Sequence, residues 1–143
     1  MPHLPDEFRI AIAGKVPSGI RSAHPGVSFV GRVADAIEFV LSGRVVALVS
    51  RAGSGVQLKT IETFELGLPA VATSRSLRGI GTLPANCIVA DEPVEFARAL
   101  RRAALGAKDI EAGRFRSDQR LALDRQLRLG LRALGYQSER AHA

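Results

Sequence analysis

The chain has 143 residues, of which 46% are hydrophobic and 24% charged; this fits one globular domain and excludes a disordered chain or two full-sized domains. One cysteine excludes an internal disulfide and a cysteine-built zinc site, no run approaches the roughly 18 apolar residues of a membrane span, and residues 1–7 lack the features of a signal peptide, so a cytoplasmic protein is expected. The net charge of +6 lies wholly in residues 98–143, where eleven basic residues face five acidic ones, while residues 1–97 hold nine of each.

In chain order, apolar runs at 8–13 and 27–30 end at Gly14 and Gly31 and read as short buried strands. Residues 34–41 follow with Ile37, Val40 and Leu41 at helical spacing. A third strand is predicted at 45–49, then a Gly-rich loop and a helix over 56–66. Strands at 70–73 and 87–90 come next, and a helix over 93–105 has Pro93 in its first turn, where its missing N–H costs nothing. Strands alternating with helices predict an α/β domain, a Rossmann-like parallel sheet flanked by helices, over residues 1–106. Residues 107–143 form a basic helical C-terminal extension, with Phe115, Leu121, Leu123, Leu127, Leu131 and Leu134 mostly on one side. Gly135 is the expected stop and residues 137–143 are expected to fray.

Open sheets of this kind bind ligands outside the carboxyl ends of their strands, which singles out the loops 14–19, 31–35 and 50–56. The last is the most informative. Gly53-Ser54-Gly55 directly after a buried strand lets the backbone approach a ligand, and the next helix offers free N–H groups and a positive dipole end to an anion. Lys59 can add a mobile positive charge, and Glu62, one turn on, can accept hydrogen bonds from sugar hydroxyls. The plainer reading is a tight strand-to-helix connection with Lys59 and Glu62 as a surface ion pair. The loop is neither a Walker A sequence nor a full Gly-x-Gly-x-x-Gly fingerprint.

The run from Gly53-Ser54-Gly55 through Lys59 and Glu62 to Gly67-Leu68-Pro69-Ala70-Val71-Ala72-Thr73 resembles the donor-site segment of the group 1 GT-B glycosyltransferases. His24-Pro25-Gly26-Val27-Ser28-Phe29-Val30-Gly31-Arg32-Val33 resembles the strand and Gly that precede it in that family. Residues 88–97 resemble the later strand and helix start, so the likeness covers about residues 8–105. It implies the second, donor-binding half of a two-domain GT-B enzyme, with a C-terminal helical extension and with no acceptor domain in front of Phe8.

Carried over by position, Glu62 matches the acid that binds the donor ribose. Lys59 and the backbone of Gly53, Ser54 and Gly55 match the surface that meets the diphosphate or sugar, and Arg32 is a second candidate for phosphate. Lys59 and Arg32 are thereby the candidate catalytic groups. Many members carry a further acid where this chain has Ser54. The resemblance implies glycosyl transfer from a nucleotide-diphosphate sugar to an acceptor hydroxyl, with retention, no bound metal and no cofactor beyond the donor, in polysaccharide biosynthesis. It also implies a separate acceptor-binding domain, or a second copy, joined through the C-terminal helices. Two alternatives stay open: a non-catalytic nucleotide-sugar-binding or regulatory half, and a basic anion- or nucleic-acid-binding module. Few aromatics speak against nucleic acid, while the basic tail allows peripheral contact with a membrane surface. Arg51, Arg75 and Arg78 lie on or near the ligand rim and phosphate contact is open to them. His3, His24 and His142 lack clustered partners, and Cys87 is expected to be core packing.

Overall fold

The computed structural model describes residues 3, 4, 6–15, 19–50, 55–107 and 112–134. Among them the order is β1 (Ile10–Ala13), β2 (Val27–Gly31), α1 (Ala36–Leu41), β3 (Val46–Leu48), α2 (Leu58–Glu65), β4 (Ala70–Ala72), a 3-10 helix (Ser74–Leu77), β5 (Cys87–Val89), α3 (Pro93–Ala104) and α4 (Ala112–Ala133). All the pairings are parallel: β1 with β2, and β3 with β4 with β5. This is the expected Rossmann-like α/β architecture, with the strands divided between a two-stranded and a three-stranded sheet. Gly14, Gly19, Gly26 and Gly31 are described; the expected stop at Gly135 and fraying of 137–143 lie outside the described residues.

β4 explains the layering. Ala70, Val71 and Ala72 are wholly buried, as a central parallel strand covered on both faces must be. Side chains alternate along a strand, so Val71 faces a cluster with Ala97, Ala99, Leu100 and Ala103 of α3. Ala70 and Ala72 face the opposite cluster, with Leu48, Phe64 of α2 and Phe115 of α4. The alanines on α3 let that helix lie close to the sheet. Leu4, Phe8 and Ile10 join the α3 cluster, which ties the N-terminal sheet to the same core.

Local chemistry sets the boundaries. Asp35 caps α1, its carboxylate accepting from the amides of Ile37 and Glu38 at 2.7 and 3.0 Å and satisfying two donors that the helix start leaves over. α2 ends at Gly67, whose φ of 66° suits glycine. The amide of Gly67 donates to Phe64 O and that of Leu68 to Thr63 O, at 3.0 and 3.3 Å, the two bonds of a Schellman stop. Leu68 is buried beside it, and Pro69 passes the chain into β4 while its carbonyl accepts from the Val46 amide at 2.9 Å. Gly67-Leu68-Pro69 is therefore a helix stop and strand start.

His24 is buried and bonded at both ring nitrogens: Nδ1 accepts from the Gly26 amide at 3.0 Å and Nε2 meets Leu4 O at 3.1 Å. It fastens the N-terminal segment to the turn before β2. Gly26 has no substitute there, since a Cβ would lie 2.0 Å from Phe8 O. Half-buried Cys87 has its thiol pushed up to about 11 by desolvation, which fits core packing.

α4 docks through its first half. Phe115 meets Phe64 edge to face, with ring centroids 5.2 Å apart at 76°. Arg116 grips Glu65 through Nε and Nη2 at 2.8 and 2.9 Å, and Gln119 bonds the Gly81 amide and Thr82 O. Beyond these points the helix is solvated, and Leu123, Leu127, Leu131 and Leu134 are exposed. The hydrogen bond from Arg116 holds the Glu65 carboxyl below its ordinary range. A carboxylate lowered in the folded state stabilises above its unfolded pKa and loses that contribution as pH falls through the folded value. Acid is therefore expected to loosen α4 from α2: the protection of the amides of residues 114–120, measured against an unstructured chain at the same pH, should fall more between pH 6 and pH 3 in the wild type than in Glu65→Gln.

Candidate functional site

The carboxyl ends of β3 and β4 and the start of α2 converge on a chain of hydroxyls. Gln57 Nε2 donates to Ser50 Oγ. The Ser50 amide donates to Thr73 Oγ1 at 3.3 Å, Thr73 Oγ1 lies 2.9 Å from Ser76 Oγ, and Ser76 Oγ donates to Leu48 O at 2.6 Å. Because the Ser76 proton goes to Leu48 O, the Thr73 proton is directed to Ser76. Thr60 Oγ1 donates to Ser76 O at 3.1 Å, and Thr60 and Ser76 are both fully buried. In a water-poor site such a chain holds its members in one arrangement. It fixes where the 50–56 loop leaves β3 and where α2 begins.

Gln57, turned toward Ser50, gives α2 no side-chain cap. The Thr60 amide donates to Gln57 O at 2.9 Å, the amides of Leu58 and Lys59 ahead of it take no cap from the Gln57 side chain, and the dipole end of the helix is positive. Lys59 is exposed on the first turn and its Nζ donates to Val49 O at 3.2 Å, which holds the ammonium at the end of β3. Glu62 is exposed one turn on. Among the described residues it forms no ion pair with Lys59, so the plainer reading of these two as a surface pair is not what is found. Val49, Val56 and Leu58 are exposed around them and give the site an apolar rim.

Of the residues singled out in the sequence, Lys59 and Glu62 lie on α2 and Gly55 three residues before it. Arg51, Gly53 and Ser54 lie outside the described residues. Arg32 is exposed just past β2, in the other sheet, and no hydrogen bond or ion pair among the described residues joins it to Lys59 or Glu62. No group of three His, Cys, Asp or Glu that could hold a metal occurs among the described residues, and no described helix is long and apolar enough to cross a membrane.

Ser50, Gln57, Thr60 and Ser76 carry the scaffold without standing out in the sequence; Ser50 alone carries a signal there, a polar residue closing a buried apolar strand. Asp91, just past β5, accepts from the hydroxyl and amide of Ser74 at 2.5 and 2.8 Å. Those bonds hold its carboxyl below the usual range and fasten the 3-10 helix to the end of β5.

Residues 1–105 match the family described as Glycosyl transferases group 1. Searches of curated proteins and of solved structures returned no match. The family match spans well over half of the chain and includes every element that builds this site. The chain belongs to the group 1 glycosyltransferases.

Proposed function

We propose that this domain binds a nucleotide-diphosphate sugar at the ends of β3 and β4 and serves as the donor half of a retaining glycosyltransferase. The observation that carries the reading is the start of α2, which the Gln57 side chain leaves without a cap because it bonds Ser50 instead, with the Lys59 ammonium held beside it. An anion placed there meets backbone N–H groups, a helix dipole and a cation. Charge grows on the diphosphate as the glycosyl bond breaks, and donors fixed in advance stabilise it without having to reorganise. Lys59 supplies such a charge, and Arg32 would need the donor to extend toward β2 for it to add another. Glu62 accepts from the ribose hydroxyls and positions the donor. The acceptor and any general base belong to an acceptor-binding body, for which the exposed leucines of α4 offer an apolar face.

Calorimetric titration with uridine, guanosine, adenosine and thymidine diphosphates and their sugars tests this. Saturable binding that prefers one base and survives added salt is expected. Glu62→Ala should weaken it about ten- to a hundredfold, the range for a hydrogen bond to a charged group. Lys59→Ala should reduce the advantage of the diphosphate over the parent nucleoside. Unchanged affinity in both variants would remove the assignment.

A further inference from the structure

We propose that Arg78 is an anion-binding residue of this site that takes a phosphoryl group side-on through Nε and Nη2; the identification of that group as the donor diphosphate rests on the function proposed above. Both nitrogens are buried, and neither has a hydrogen-bond partner among the described residues. A guanidinium stays charged at any physiological pH, and its N–H groups removed from water without a partner are costly and uncommon in folded proteins. Nε and Nη2 form the edge of the guanidinium that matches two oxygens of one anion. Arg116 uses this same pair of atoms on the Glu65 carboxylate, at 2.8 and 2.9 Å.

Carboxylates on the elements beside the 3-10 helix are engaged elsewhere or exposed: Glu65 is held by Arg116, Asp91 by Ser74, and Glu62 is exposed on α2. The position of Arg78 points to the ligand. It directly follows the 3-10 helix whose Ser76 anchors the hydroxyl chain. The next residue, Gly79, has a φ of 75°, and a Cβ on it would lie 2.4 Å from Val56 Cγ2, so this turn presses on the loop leading into α2. Val56 leads into the start of α2, whose first turn carries Lys59, and a cation and a helix N-terminus near one loop favour a phosphate over a lone carboxylate.

Wild type, Arg78→Lys and Arg78→Met should be titrated with pyrophosphate, with uridine and guanosine diphosphates and with the parent nucleosides. Their melting should also be compared without any oxyanion in the buffer. Lysine keeps the charge and loses the fork. Both variants are expected to bind pyrophosphate and the diphosphates about tenfold or more weaker, with nucleoside affinity unchanged. Without anion, Arg78→Met should melt at or above the wild-type temperature, because an unpartnered buried cation has been removed. A clear fall in melting temperature with wild-type pyrophosphate affinity would make Arg78 structural and overturn the proposal, as would a wild type that ignores pyrophosphate. Pyrophosphate binding that depends on Arg78, with nucleoside diphosphates binding no tighter, would uphold the anion contact and overturn the donor reading instead. Nucleoside diphosphate binding that is equal in all three proteins would do the reverse.

Discussion

Phe64→Ala is expected to lower the unfolding free energy by about 3–5 kcal/mol, the range for deleting a fully buried aromatic side chain. Phe64 is 1% exposed and lies where α2, β3, β4 and α4 meet, packed with Leu48, Ala70, Ala72 and Phe115. Its two β4 neighbours are alanines, which have no side chain long enough to fill the space, so the cavity persists and the cost falls in the upper part of the range. A domain of this size is typically stable by about 5–15 kcal/mol, so a substantial part of that stability would go with one ring. Phe115→Ala should cost less, because α4 lies at the edge and can shift. The two changes together should fall short of additivity, since each removes the same edge-to-face contact. Urea unfolding of the four proteins measures this, and a loss below about 1 kcal/mol in Phe64→Ala would mean that α2 is not anchored as described.

The strands were legible because each is a short apolar run closed by Gly or polar residues, and all five form where the pattern places them. Their edges shift for local reasons. Phe8 belongs to the core without belonging to β1, since it packs against the α3 cluster. α2 begins two residues later than the apolar spacing suggests, because Gln57 is extended, with φ −93° and ψ 115°, and spends its side chain on Ser50. The 3-10 helix at Ser74–Leu77 carries no periodic apolar signal. In α4 the spacing marks an amphipathic helix and cannot say how far the body extends beneath it; the protein is met by Phe115, Arg116, Gln119 and Ala122, and the later leucines overrun it.

The site was legible in part. Lys59 and Glu62 belong to one motif and lie three residues apart on α2, so their proximity follows from a single turn of helix. The motif also contains Thr73, yet nothing in linear order connects it to Ser50, 23 residues earlier. The parallel register of β3 on β4, with Leu48 opposite Ala72, brings the two strand ends together, and register is a property of the sheet. Arg78 was visible as one basic residue among several near the rim. What sets it apart, two buried nitrogens without partners, exists only once the chain is folded.

Thr73→Val is expected to separate that scaffold from the fold. Valine matches threonine in shape and removes the hydroxyl that accepts from the Ser50 amide and donates to Ser76, so the amide and the Ser76 oxygen each lose that bond. The expected cost is about 1–3 kcal/mol, with α3 and its side of the sheet intact. The larger consequence falls on the start of the 50–56 loop and on α2. Amides of Ser50 and of residues 56–59 should exchange faster while those of residues 97–103 do not, and affinity for the preferred nucleoside diphosphate should fall about tenfold. Thr73→Ser keeps the oxygen and should restore both. Ser76→Ala breaks the next link, so Thr73→Val and Ser76→Ala combined should cost less than the sum of the two. A Thr73→Val protein whose Ser50 amide exchanges at the wild-type rate would show that the loop is held by something other than this chain of hydroxyls, because that amide is the one donor whose acceptor the substitution removes.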